Sequence, residues 1–216
     1  MGGLSESKNA YTYRLMTILT PLMIEGVKSK FDDICKMCIQ NDEEDKYLMM
    51  FQKSLEDVPI WNEARIENET QRIVTESKCD HLEMLIASCI NIQIKILSYM
   101  RVSLNQKRIE YDKPSLNKFI HKCYIAFARK LYTNVYLFEK DIMPIVQQKH
   151  MRECELICRE SIINVINDTI PIKQILDAYM GETEHEEVVE EIIEKIDEVA
   201  DADNGEKGEN GENGEK

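Results

Sequence analysis

Only four glycines, Gly2, Gly3, Gly26 and Gly181, precede Gly205. A chain so poor in glycine has few positions for tight turns, and its apolar residues recur at helical rather than alternating spacing. From Ala10 to Cys38 the positions Leu15, Leu19, Leu22, Val27, Phe31, Ile34 and Cys38 keep a 3.6-residue period. The prolines at 21, 59, 114, 144 and 171 all fall where a helix boundary or turn is expected. The fold class predicted is all-α, a single bundle-like domain of six to eight helices over residues 5–181.

Charge divides the chain. Residues 182–216 hold 15 acidic residues against 3 lysines, a net of −12 out of −13, so the preceding body is close to neutral. A body of this length buries roughly 70% of its unfolded surface, enough for one core. Residues 182–200 are expected to form an acidic amphipathic helix with Val189, Ile192, Ile196 and Val199 in a short heptad-like seam. Residues 201–216, built on Gly205-Glu206-Lys207 and three similar triplets, lack the proline and length of collagen and are expected to be disordered.

Within the body the helix boundaries are drawn from caps and prolines. Thr20-Pro21 reads as a cap and first turn, giving two helices or one kinked helix over Ala10–Cys38. Asp42-Glu43-Glu44 leads a helix with Leu48, Phe51, Leu55 and Val58 on one face, ending at Pro59. The stretch from Trp61 to Ser77, with Arg65, Glu67, Glu69 and Arg72, reads as an exposed surface. Cys79–Arg101 carries the stripe Leu82, Leu85, Ile86, Cys89, Gln93, Ile96, Leu97 and Met100. Residues 102–114 lose the period. Ser115 is expected to cap a helix from Leu116 to Lys140, and Pro144 to open another to about Asn167. Ile170-Pro171 starts a short helix to Met180.

No phosphate-loop, dinucleotide, zinc-protease or nucleophile-elbow motif occurs, so no enzyme chemistry is assigned and no cofactor is expected. Cys35-x-x-Cys38 with Cys79 and His81 offers soft ligands, but the spacing is loose and buried thiols are ordinary core residues, so no metal site is assigned. His150, Cys154 and Cys158 share a helix face and read as a helix flank with half-buried thiols. Seven cysteines with no secretory pattern at the N-terminus indicate reduced thiols in a cytosol-like compartment. No apolar run approaches a membrane span.

The strongest functional lead is a basic segment. Residues 95–130 carry nine Lys or Arg and two acids. Lys118, Lys122 and Arg129, with Tyr132 and Tyr136 beside them, lie opposite the apolar side of their helix. Together with Arg101, Lys107, Arg108 and Lys113 they form the expected partner-binding surface, on which the seam Val189, Ile192, Ile196, Val199 could also dock. A solvated face that balances acidic neighbours is the plainer alternative. An anionic tail would compete with nucleic acid, which favours a protein partner over DNA or RNA.

Five stretches together, Ser5–Thr12, Lys46-Tyr47-Leu48-Met49, Pro59-Ile60-Trp61-Asn62, Lys118–Lys122 and Asn134–Phe138, resemble uncharacterised proteins of large nucleocytoplasmic DNA viruses of the phycodnavirus and mimivirus kind. The resemblance covers about Ser5 to Met180. It implies a viral structural or interaction protein, a virion component or assembly factor, located in the virion or in a virus factory of the host cytoplasm. It implies no catalytic residue. The alternative is a nucleic-acid-associated factor of viral transcription or genome packaging, regulated by the acidic tail.

Overall fold

The computed structural model describes residues 2–98 and 113–177. Among them every regular element is helical: α1 (Gly2–Gln40), α2 (Tyr47–Glu56), α3 (Glu63–Ser77), α4 (Leu82–Ser98), α5 (Leu116–Thr133) and α6 (Pro144–Asp168). Short 3-10 turns cover Glu44–Lys46, Val58–Ile60 and Val135–Phe138. The chain is all-α. The helices to Asp168 fall in one compact unit, and residues 172–177, helical in themselves, belong to a second. No helix of the described residues is long and apolar enough to cross a membrane.

α1 is the spine. It packs against α2, α3, α4 and α6, while α5 packs against α2, α3 and α6. Pro21 lies inside α1, so of the two alternatives the single helix holds and there is no boundary at Thr20. An internal proline costs about 3 kcal/mol. Against that, Leu15, Leu19, Met23, Val27, Phe31, Ile34 and Cys38 are all buried and stay in phase across the proline. Each large apolar side chain so buried stabilises by roughly 1.5–3 kcal/mol. The continuous stripe outweighs the missing hydrogen bond, and Pro21 itself sits on the exposed side.

α1 closes with Asp42 in the left-handed conformation (φ 54°), and the Glu43 N–H donates back to the Cys38 carbonyl at 2.9 Å. This is the geometry usually reserved for a helix-ending glycine. The turn brings α2 back onto α1. Phe31, Phe51 and Phe138 then meet as a triangle with ring centroids 4.7–5.2 Å apart. Tyr47 closes its edge and accepts a hydrogen bond from the Lys140 N–H. α2 ends at Glu56, ahead of Pro59, which lies in the following turn.

Candidate functional site

α5 begins as its sequence demands. The Ser115 hydroxyl accepts from the Lys118 N–H at 3.4 Å, and Phe119, Ile120, Cys123, Phe127 and Leu131 are buried. It stops seven residues earlier than the Lys140 expected, at Thr133. The Lys130 carbonyl there accepts from both Asn134 Nδ2 (2.8 Å) and Thr133 Oγ1 (2.9 Å). Side chains that satisfy a terminal carbonyl compete with the next helical N–H and end the helix.

Lys118, Lys122 and Arg129 form an exposed cationic stripe along α5, with half-buried Ile125 and exposed Tyr132 on the same side. None of the three cations has an ion pair among the described residues, whereas neighbouring Lys130 lies 2.8 Å from Glu160 of α6, an ion pair without hydrogen-bond geometry. The two tyrosines are placed differently from their expected role. Tyr132 bonds Glu56 of α2, which raises its phenol pKa, and its carbonyl accepts from Gln52. Tyr136 sits on the 3-10 turn after α5 and donates to Glu153 of α6 at 3.1 Å, which raises its pKa likewise. Both rings stay partly exposed, but their hydroxyls are tied inward. Lys113 is exposed just before the cap. Arg101, Lys107, Arg108, Val189, Ile192, Ile196 and Val199 lie outside the described residues, as do residues 182–200, expected to form an acidic helix, and residues 201–216.

Beside the N-terminal half of the stripe is an aromatic stack. Trp61 lies parallel to His121 at 6.0 Å, and the Arg65 guanidinium covers the indole at 4.3 Å. His121 Nε2 is 2.8 Å from the Val58 carbonyl, so that nitrogen carries the proton and donates. Ile60 projects into solvent next to it, 77% exposed.

A polar network that the sequence reading missed joins α1, α3 and α5. Glu69 and Arg72 are half-buried, not on an open surface. Arg72 pairs with Glu69 (2.6 Å), Glu76 and Glu25 (3.7 Å), and its Nη2 donates to the Leu22 carbonyl at 2.7 Å. The bond to Glu69 holds the guanidinium more firmly protonated. Tyr124 donates to Glu69; burial first, then the Glu69 charge, push its phenol pKa well up. The space for this comes from Gly26. A Cβ there would lie 2.6 Å from the Tyr124 hydroxyl, 2.8 Å from Glu69 and 2.9 Å from Arg72. Every charged group in the network has its partner inside it, so its chemistry is to hold three helices together.

The thiols are also committed to the core. All seven cysteines are free and buried. Burial pushes the Cys89 thiol up to about 11 and that of Cys154 to about 12, and it raises Cys123 and Cys158 as well. Such thiols are poor nucleophiles at neutral pH. Cys154 and Cys158 are fully buried rather than half-buried, and His150 turns its ring edge to Tyr136. Cys35, Cys38 and Cys79 are buried while His81 is exposed, and the described residues hold no cluster arranged for a metal ion.

The family model described as Family of unknown function (DUF5764) matches residues 1–139. No curated protein and no solved structure matches the chain.

Proposed function

The chain belongs to the family of unknown function DUF5764, and on that premise we propose that it is a non-enzymatic interaction protein whose working surface is the cationic stripe of α5. The observation that carries this reading is the contrast along one helix. Lys130 is spent on Glu160, while Lys118, Lys122 and Arg129 face solvent with no ion pair among the described residues. An exposed row of one sign, with Ile125 and the Tyr132 ring beside it, matches an acidic protein surface. The stripe falls within the residues that the family model matches. The thiols held protonated by burial and the self-contained Arg72 network support a binding role over catalysis. Following the resemblance to proteins of large nucleocytoplasmic DNA viruses, we place it among virion components or assembly factors.

Site-specific photo-crosslinking tests the reading. A crosslinking residue at Ile125 should give one discrete protein adduct in infected cells, and the same residue at exposed Glu67 on α3 should give none. Equal labelling from both sites would remove the stripe as a working surface.

A second reading is favoured by the Arg65–Trp61–His121 stack beside Lys118 and Lys122. Aromatic rings among cations suit single-stranded nucleic acid. Its signature would be a nuclease-sensitive adduct at Ile125 and binding of a single-stranded oligonucleotide that weakens steeply with salt.

A further inference from the structure

The side of α1 that carries Pro21 borders an open cleft of about 740 Å³ against α6, lined by Thr17, Thr20 and Lys28 of α1 and by Glu155 and Arg159 of α6 among others. Its floor holds unsatisfied polarity. Thr20 is 3% exposed, and its hydroxyl has no nitrogen or oxygen partner, only the Cys158 sulfur beside it. Pro21 has no N–H to give to the Thr17 carbonyl, so an acceptor is freed between two residues that both line the cleft. Arg159 is half-buried, its Nε is likewise without an acceptor, and no carboxylate pairs with it among the described residues.

Three of the four acids lining the cleft have another cation, and none of the four is paired with Lys28 or Arg159 among the described residues. Asp33 pairs with Lys36 at 3.6 Å, Glu25 with Arg72 at 3.7 Å and Glu155 with Arg152 at 3.7 Å. The charge of Asp32 acts on Lys140. Lys28 and Arg159 remain. Lys28 is close enough to Cys154 to lower that thiol's pKa against the effect of burial, so both cations bear on one stretch of α6. A half-buried guanidinium without a counterion is costly, and buried polar atoms are nearly always satisfied by something.

We propose that the α1–α6 cleft binds an oxyanion, a carboxylate or phosphate group, held by Arg159 and Lys28 over the Thr20 hydroxyl. The planar guanidinium fork fits either anion. The freed Thr17 carbonyl favours a ligand with an N–H or O–H next to the anionic group, as in an acidic or phosphorylated residue of a peptide. The site is separate from the α5 stripe and stands or falls independently of it.

The full chain, labelled with 15N, is titrated separately with phosphoserine and with N-acetylglutamate while the Arg159 Nε–H resonance is followed. A saturable shift with phosphoserine alone identifies a phosphorylated ligand, and one with N-acetylglutamate alone identifies an acidic peptide; either supports the site. Lys28→Glu, a change at an exposed position that leaves the fold intact, should weaken binding by at least about tenfold. Arg159→Gln should abolish the binding seen by calorimetry, and Lys53→Gln at an exposed position of α2 should leave it unchanged. No saturable shift with either probe up to about 10 mM, or full affinity in Lys28→Glu, overturns the proposal.

Discussion

Arg72 and Arg159 are both half-buried arginines facing α1, and they live in opposite surroundings. Around Arg72 the fold supplies three glutamates, a backbone carbonyl and, through Glu69, a tyrosine. Around Arg159 the described residues supply no ion pair and leave its Nε without an acceptor. The same division separates Lys130, paired with Glu160, from Lys118, Lys122 and Arg129 on the same helix. Charge that builds this fold is paired within it. Other cations, such as Lys30, Lys53 and Lys149, are also without an ion pair among the described residues but stand singly; Lys118, Lys122 and Arg129 form a row on one helix, and Arg159 with Lys28 shares one cleft.

The first way to break the comparison is to disturb the paired region. Gly26→Ala gains about 1 kcal/mol of helix propensity but forces a methyl group against three interlocked side chains. A net loss of about 2–3 kcal/mol is expected in urea unfolding, since overpacking and broken buried hydrogen bonds add. A Gly26→Ala protein as stable as the parent would show that the network yields freely.

A cumulative effect, as large or larger at its alkaline end, comes from pH. The thiols of Cys89, Cys123, Cys154 and Cys158 have folded pKa values raised above their ordinary 9.0. In the unfolded chain they ionise first, so each contribution is fully present below the ordinary thiol value and is lost as pH rises through the raised folded one, about 11 for Cys89 and about 12 for Cys154. Each contributes up to about 1.4 kcal/mol per pH unit across that window. Unfolding measured between pH 8 and 10.5 should show stability falling at the alkaline end, and native thiols should react with an aromatic disulfide only after unfolding.

Smaller is the effect at the end of α3, where Lys78 takes a left-handed φ of 50°. Lys78→Gly should stabilise by up to about 1 kcal/mol, because only glycine adopts that conformation without cost. A raised melting temperature is the expected readout. Reversal of the unpaired cations, Lys118→Glu with Lys122→Glu and Arg129→Glu, should change stability least of all.

What the sequence disclosed follows the same division. The all-α class, the Ser115 cap and the buried side of α5 are encoded by local chemistry and period, and all are legible. The exposed side of α5 was legible as the face opposite its buried stripe, but that its cations have no ion pair among the described residues was not. Nor was the Arg72 network. Glu69, Arg72 and Glu76 have the spacing of an ordinary solvated helix face, and only their meeting with α1 and α5 makes them half-buried. One signal did exist: Gly26 is a glycine in the middle of a helix, a place where glycine needs a packing reason. The continuity of α1 through Pro21 was one of two readings the sequence allowed, because the burial that decides between them comes from other helices. Several of the five stretches singled out in the sequence are explained by packing. Trp61 of Pro59–Asn62 stacks on His121 of Lys118–Lys122, and Tyr47 lies in the aromatic cluster with Phe138 of Asn134–Phe138. Those residues record how the helices fit.

The central claim is that Lys118, Lys122 and Arg129 serve binding and not folding. The direct measurement places the Ile125 crosslinker in the parent chain and in the triple Glu variant, and compares unfolding curves and adduct yield in the same preparations. The account predicts superimposable unfolding curves and loss of the adduct in the variant. An undiminished adduct, or a variant that unfolds much more easily, would contradict it.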